Sequence, residues 1–461
     1  MSRSVSIFIC QSCGAETRQF FGRCRSCGEW NSIVEEKVTS QTNNSRKKRS
    51  KSLEKPSAYR SELIAIEKSQ KIERIKTGYK EFDRVLGGGL VPGSLVLIGG
   101  DPGIGKSTLV LQSATAIAIQ RSVLYVAGEE SAEQVRLRWN RIQGSQSQLH
   151  LLSDTDLEII LEELIALKPE IAIIDSIQAL QDTNLSSAPG SVSQVRECAS
   201  ALQRLAKKNN VALVLIGHVT KDGMLAGPKV LEHLVDAVLT FEGDRYASHR
   251  LLRGVKNRFG PTNELGVFEM QGDGLSEVAN PNELFLSNES APGVATIIAC
   301  EGSRPLAIDL QALINPTTYP SPRRTATGVE SNRLHQILAV IEKHMNLALS
   351  RYDCYLAVAG GLDVEEPGAD LGIAAAIISS FKNVELPKGI IFIGEIGLGG
   401  QLRLAKQMQQ RIQEAIRLGF KKAIIPEGMK DINFKSKLEI LEASNIDTAL
   451  KIALKDNTKN S

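Results

Sequence analysis

Two groups of residues in this chain can do chemistry by type and spacing. The first is Gly100-Asp101-Pro102-Gly103-Ile104-Gly105-Lys106-Ser107-Thr108, which meets every position of the phosphate-binding loop G-x-x-x-x-G-K-[ST]. The glycines let the backbone fold tightly, so successive N–H groups and the positive end of the following helix converge on a polyphosphate. Lys106 would reach the β- and γ-phosphates and the Ser107 hydroxyl would ligate Mg²⁺, so the expected ligand is ATP with Mg²⁺. The second group is Cys10-x-x-Cys13 and Cys24-x-x-Cys27, two knuckles ten residues apart, each followed by a glycine, Gly14 or Gly28. Four thiolates gathered without a cation would repel one another, and tetrahedral Zn²⁺ is the natural occupant. Cys198, Cys300 and Cys354 stand singly in apolar or helical surroundings and read as small core residues.

A phosphate loop needs a strand before it and a helix behind it. The apolar run at 94–98 supplies the strand, and 106–119, without Gly or Pro, supplies the helix. Strand-like runs recur at 122–127, 149–152, 171–174, 212–216 and 237–241, with helical stretches between. Over 194–208, Val195, Cys198, Ala199, Leu202 and Leu205 form one stripe and leave Arg196, Glu197, Arg204 and Lys207 for solvent. Alternating strand and helix predicts a mainly parallel, helix-flanked sheet, an α/β fold. In such sheets ligands sit beyond the carboxyl ends of the strands. The run at 171–174 ends in Asp175, suited to hold Mg²⁺ through water, and the run at 122–127 ends in Gly128-Glu129-Glu130-Ser131. Either glutamate could orient and deprotonate an attacking water. The run at 212–216 ends in Gly217-His218, an imidazole able to hydrogen-bond a γ-phosphate.

With 461 residues, the chain is long enough for about three domains. A formal charge of +3 neither demands nor excludes a nucleic-acid partner, and 42% hydrophobic residues is ample for sizeable cores. No long uncharged apolar run and no signal-peptide core are present, so a cytoplasmic protein with no membrane partner is expected. The segment 1–34 is too short to bury a core, and its metal would supply most of its folding energy. Residues 35–72 turn polar, and Arg46-Lys47-Lys48-Arg49-Ser50-Lys51 reads as part of a basic, flexible linker.

The four-cysteine knuckle, the lead-in TGYKEFDRVLGGGLVPGS, GDPGIGKST, GEES and Lys256-Asn257-Arg258-Phe259-Gly260, in this order, closely resemble the bacterial RadA/Sms DNA-repair family over nearly the whole chain. The resemblance implies a RecA-like ATPase core at 73–278 that assembles into a homo-oligomeric ring, read as a hexamer. Such a ring would act on single-stranded and branched DNA beside a RecA-type recombinase filament and drive branch migration. It also implies that Glu129 is the catalytic glutamate, with Glu130 close behind. Lys256 and Arg258, two cations one residue apart with no acidic neighbour in sequence, would reach the γ-phosphate held by the next subunit. The stretches 182–193 and 221–229 would face DNA, with Lys221 and Lys229 as phosphate contacts.

From 279 to 461 the chain resembles the proteolytic domain of Lon proteases. Expected strands lie at 293–300, 306–313 and 354–359 and helices at 332–345 and 370–381, with Ile391-Phe392-Ile393-Gly394-Glu395-Ile396-Gly397-Leu398-Gly399-Gly400 as a strand and turn of that fold. The protease nucleophile is missing: its serine turn is here Pro367-Gly368-Ala369-Asp370, and its lysine base falls at Gln409, with Lys406 one helical turn away. The domain is therefore expected to be proteolytically inactive, a scaffold for assembly whose Arg323 and Arg324 could meet DNA phosphates. A non-translocating recombination mediator and a clock-type phosphate-loop ATPase and kinase are the competing readings.

Overall fold

The computed structural model describes residues 4–10, 15–17, 19–30, 32–39, 73–142, 148–218, 229–243, 249–287, 290–429 and 437–455. The chain divides into two compact units, Met1–Glu277 and Val278–Ser461.

At the start of the first unit, β1 (Ser4–Cys10) is flanked by β2 (Glu16–Thr17) and β3 (Ile33–Thr39), both antiparallel to it. Cys10, Cys24 and Ile33 form its small core, with Phe8, Ala15 and Phe21 packed against them. β3 runs past residue 34, where polar composition sets in, because its pairing with Ser4–Phe8 is made by backbone groups that do not need apolar side chains. Of the expected linker, residues 40–72 lie outside the described ones.

The remainder of the first unit holds one nine-stranded sheet. Its elements in chain order are α1 (Lys80–Val85), β4 (Leu95–Gly100), α2 (Lys106–Ile117), β5 (Val123–Ala127), α3 (Ala132–Arg141), β6 (Leu149–Leu152), α4 (Leu157–Leu167), β7 (Ile171–Asp175), α5 (Val192–Asn209), β8 (Ala212–Ile216), α6 (Lys229–Leu234), β9 (Ala237–Glu242), β10 (His249–Asn257), β11 (Leu265–Gln271) and β12 (Gly274–Glu277). The strand order is β12-β11-β10-β9-β4-β8-β7-β5-β6. The six strands from β9 to β6 are parallel, while β10, β11 and β12 add an antiparallel meander at the β9 edge.

Every residue of β4, β5, β7 and β8 is buried, which is why these strands read as unbroken apolar runs: helices cover both faces. Side chains of β4 alternate between two cores. Val96 and Ile98 join Leu109, Val110 and Ala114 of α2 on one face. Leu95 and Leu97 join Val195, Cys198, Ala199, Leu202 and Leu205 of α5 on the other. α5 begins at Val192, two residues before the stripe read from sequence, because the Ser191 side chain accepts from the Gln194 amide and caps the helix there. This is a RecA-like phosphate-loop ATPase core.

The second unit carries α7 (Asn282–Phe285), β13 (Val294–Glu301), β14 (Arg304–Pro316), β15 (Arg324–Thr327), α8 (Ser331–Met345), β16 (Tyr352–Val358), α9 (Asp370–Lys382), β17 (Ile390–Phe392), β18 (Glu395–Ile396), β19 (Leu402–Arg403), α10 (Met408–Arg417), β20 (Lys422–Pro426), β21 (Glu439–Ala443) and α11 (Ile446–Lys455). Seven strands form a mixed sheet in the order β15-β16-β14-β13-β17-β20-β21, and β18 pairs with β19. Ten of the thirteen residues of α9 are buried, and the helix lies so close to the sheet that a Cβ on Gly372 would meet Ile297 Cγ2 at 2.1 Å. The fold is the α+β, Lon-protease-like one expected. Among the described residues of either unit no helix is long and apolar enough to cross a membrane.

Candidate functional site

β4 delivers the chain to the phosphate loop at Gly100, whose φ of 147° and contact with β9 suit only glycine: an added Cβ would lie 2.4 Å from the Phe241 carbonyl oxygen. Gly105, at φ 117°, precedes the first residue of α2, so Lys106, Ser107 and Thr108 make up the amino end of that helix. Lys106 is 4% exposed, and its Nζ donates to the carbonyls of Gly100 at 2.7 Å and Asp101 at 2.9 Å. Burial pushes its ammonium below the ordinary lysine value, against the pull of Asp175, Asp101 and Glu129. Those three carboxylates and the lysine thus share one electrostatic site.

The neighbouring strand ends converge there. Asp175 closes β7 and is buried, and Tyr125 of β5 donates its hydroxyl to Asp175 Oδ2 at 2.5 Å. Burial, then the Asp175 charge, hold the Tyr125 phenol far above its usual pKa, so it stays a donor. Glu129 accepts from Ser176 Oγ, and His218 Nε2 lies 3.1 and 3.2 Å from its two oxygens. The His218 hydrogen bond is the largest cause holding the Glu129 carboxyl below its ordinary pKa, and the Ser176 bond acts the same way against partial burial. His218 Nδ1 is buried and has no hydrogen-bond partner among the described residues. Glu130 turns elsewhere: it forms an ion pair with Arg138 of α3, and its carbonyl accepts from Ser153 Oγ.

Lys256 and Arg258 are not part of this cluster. Asn257 between them pairs with Ala237, which in turn pairs with Val96 at the amino end of β4. Lys256 Nζ donates to the carbonyls of Glu232 and, at 3.0 Å, Val235, and Arg258 Nη1 meets Asp236 Oδ1 at 3.2 Å. Burial and the adjacent Arg258 lower the Lys256 pKa. The acidic partner absent from the neighbouring sequence is thus supplied by the turn from α6 into β9.

Of the proposed DNA stretches, 182–193 is pinned at its base. The fully buried Gln194 accepts from the Asp182 amide at 2.8 Å and donates to the Asp182 and Ser187 carbonyls at 3.1 and 3.0 Å. Lys221 lies outside the described residues, and Lys229 is the first residue of α6.

At the end of β1 and in the loop between β2 and β3, the sulfurs of Cys10, Cys24 and Cys27 lie within 4.8 Å of one another, and Cys13 lies outside the described residues. Gly28, at φ 79°, donates its amide to the Cys24 carbonyl and closes the second knuckle. Soft thiolate donors at this spacing fit Zn²⁺, whose four-sulfur sites are tetrahedral.

In the second unit, Gly368 is buried beside Ala405 and Arg411. Arg411 is itself fully buried, forms a two-pronged ion pair with Glu366 and donates to the Ile298 carbonyl at 2.5 Å. A structural ion pair therefore stands beside the turn that carries the serine in the proteases, and Gln409 lies on an open groove with Leu404, Met408 and Met429. Arg323 stacks over the Tyr319 ring at 4.0 Å, and Arg324 opens β15.

Reading the sequence missed Tyr125, Ser176, Arg138 and Asp236. Ser176 carried one signal, its place directly after the strand-end aspartate; the others act across strands and helices and left none.

The family model described as "AAA domain" matches residues 60–224, "Rubredoxin metal binding domain" matches 8–35 and "Subunit ChlI of Mg-chelatase" matches 325–429. The chain is 49% identical to the DNA repair protein RadA of Synechocystis sp., covering 99% of this chain and 96% of that one. It is 47% identical to the DNA repair protein RadA of Bacillus subtilis, covering 98% and 100%, and 45% identical to that of Listeria monocytogenes, covering 99% of each.

Proposed function

We propose, from the premise that this chain belongs to the RadA family of DNA repair proteins, that it is a DNA-dependent ATPase motor whose catalytic pockets are shared between neighbours in a ring. The ring is read as a hexamer. It acts on single-stranded and branched DNA, together with a RecA-type recombinase filament, and promotes branch migration of recombination intermediates. In domain terms, the ribbon expected at 1–34 extends through β3 to residue 39, so the linker expected at 35–72 shortens to 40–72; 73–278 is the ATPase core and 279–461 an inactive Lon-like scaffold.

One observation carries the shared pocket. The segment bearing Lys256 and Arg258 lies level with Val96, whereas the phosphate loop begins at Gly100. Four residues of strand span about 13 Å, and the intervening β9 adds about 10 Å sideways. Both cations are too far from their own phosphate loop to serve it, which supports the reading that they serve the loop of another copy.

In the cradle, amides of 100–108 donate to the phosphate oxygens, and Lys106 exchanges the Gly100 and Asp101 carbonyls for the β- and γ-phosphates. Ser107 and Asp175 are the residues that would hold Mg²⁺, which neutralises charge on the phosphates when bound. Glu129 takes a proton from the attacking water as the water oxygen bonds to the γ-phosphorus and the bridging oxygen leaves with ADP. Its depressed pKa keeps it ionised for that task, and the pairing of Glu130 with Arg138 supports Glu129 as the base. Arg258 of the neighbour, with Lys256, stabilises the charge that develops, a contribution on the order of 10³- to 10⁵-fold in related phosphoryl transfers. Lys221, Lys229, Arg323 and Arg324 are proposed backbone contacts to DNA. Gly368, lacking a nucleophile, supports the absence of peptidase activity.

The test is ATP turnover across protein concentration, with and without single-stranded DNA, beside a branch-migration assay. Turnover per chain should climb steeply with concentration and with DNA, and Lys106→Ala should abolish both activities. Turnover indifferent to concentration and DNA would refute the motor. Stimulated turnover without branch migration would favour the mediator.

A further inference from the structure

Asp236 is 5% exposed and belongs to none of the motifs that point to nucleotide chemistry. Among the described residues it makes four hydrogen bonds, two to Leu95 of β4 and two to Arg258, just past the end of β10. Toward β4, Oδ2 accepts from the Leu95 amide at 3.1 Å and its own amide donates to the Leu95 carbonyl at 2.8 Å. Toward Arg258, Oδ1 meets Nη1 at 3.2 Å and the Asp236 carbonyl accepts from the Arg258 amide at 3.0 Å. The aspartate thereby ties both the backbone and the guanidinium of Arg258 to the root of the central strand.

An arginine side chain that is 51% exposed ordinarily samples many rotamers. Here Nη1 is anchored at Asp236, which fixes the direction of a rigid planar fork whose Nε and Nη2 make no hydrogen bond among the described residues. The surrounding segment is braced as well. Asn257 Nδ2 donates to the Val85 carbonyl at 3.3 Å, and Arg74 donates to the carbonyls of Leu86 and Phe259. A Cβ on Gly87 would lie 2.9 Å from Gly260 Cα, so the first glycine of the triple-glycine turn lets this segment approach the lead-in. Beside the cations, Val255 and Phe259 are 49% and 37% exposed. Two exposed apolar side chains flanking an anchored, half-exposed arginine fit a surface made to be covered.

We propose that Asp236 is the positioning residue for Arg258, holding its guanidinium at the angle at which it enters the neighbouring copy's phosphate site. The inference rests on the reading that Arg258 acts across the subunit boundary. Asp236 touches no nucleotide; it acts through the arginine it holds.

The experiment uses the full-length chain with saturating single-stranded DNA. Asp236→Asn keeps an oxygen for the Leu95 amide and removes the charge facing Arg258. It should lower kcat about 100-fold, the scale of an approximately 1 Å misplacement, with KM for ATP unchanged. In an Arg258→Ala background the same change should have no further effect, because the group it aims is gone. Mixed with Lys106→Ala protomers, which keep Arg258 aimed but cannot hold ATP, Asp236→Asn protomers should recover turnover. That recovery would also show that they fold and that their own cradle works. An equal loss of kcat in the Arg258→Ala background, or no recovery on mixing, would overturn the proposal and make Asp236 a support of its own β4. If Arg258→Ala by itself left kcat intact, the underlying reading would fail first, and this one with it. Should the Asn variant not fold, Asp236→Glu, which keeps the charge but moves it out by one methylene, carries the same comparisons.

Discussion

The register that places Lys256 and Arg258 at the far end of the sheet from their own phosphate loop makes a quantitative prediction about mixed rings. Lys106→Ala protomers have an intact arginine and a defective cradle, while Arg258→Ala protomers have an intact cradle and no arginine. Each alone should be inactive, the second by about 10³- to 10⁵-fold. In a 1:1 mixture assembled at random, half the cradles are intact and half of their neighbours carry Arg258. About one quarter of all sites should therefore work, whatever the number of subunits in the ring. The assay is steady-state ATP turnover with excess single-stranded DNA, the proteins being mixed dilute and then concentrated so that subunits exchange before assembly. Turnover should approach about one quarter of the unmodified protein's rate and fall as either variant is added in excess. If the mixture shows only the sum of its two inactive parents, although exchange is demonstrated by labelled subunits, the shared pocket is wrong. It is equally wrong if Arg258→Ala alone turns over normally.

Glu129→Gln should lower kcat by about 10² to 10⁴ while nucleotide binding persists, measured by single-turnover hydrolysis beside equilibrium binding of ATP. Because the His218 hydrogen bond favours the charged form of Glu129, His218→Ala should raise that pKa toward its ordinary value and move the acidic limb of the pH–rate profile upward; an unmoved limb would remove the contact from the mechanism. Cys24→Ser should reduce the zinc content measured by mass spectrometry from about one ion per chain to well below that, since three of the four ligands cannot close a structural site. Arg411→Ala should destabilise the second unit by about 3–5 kcal/mol in urea unfolding, because it leaves Glu366 as an uncompensated, largely enclosed charge. A loss under about 1 kcal/mol would mean that water reaches the pair, as it does in exposed ones.

The sequence by itself determined the parts whose signal is local. The phosphate-loop signature is eight consecutive residues, and the knuckles are two tetrapeptides, so their ligand types and spacing were legible without a fold. The strands β4, β5, β7 and β8 were equally plain, since burial on both faces writes itself as an unbroken apolar run. Adjacent glutamates, by contrast, look alike in a string. The family resemblance ranked Glu129 first, but only the tertiary structure supplies a physical difference: Glu129 faces Ser176 and His218 from two other strand ends, whereas Glu130 is held by Arg138. It also decided that Lys256 and Arg258 lie at the opposite end of the sheet from Gly100, and that Asp236, more than twenty positions earlier, is the carboxylate that grips the arginine. The physical reason is that a hydrogen bond or ion pair depends on separation in space. In a sheet that brings β4, β9 and β10 side by side from distant parts of the chain, that separation follows from strand order and register, which no local pattern encodes.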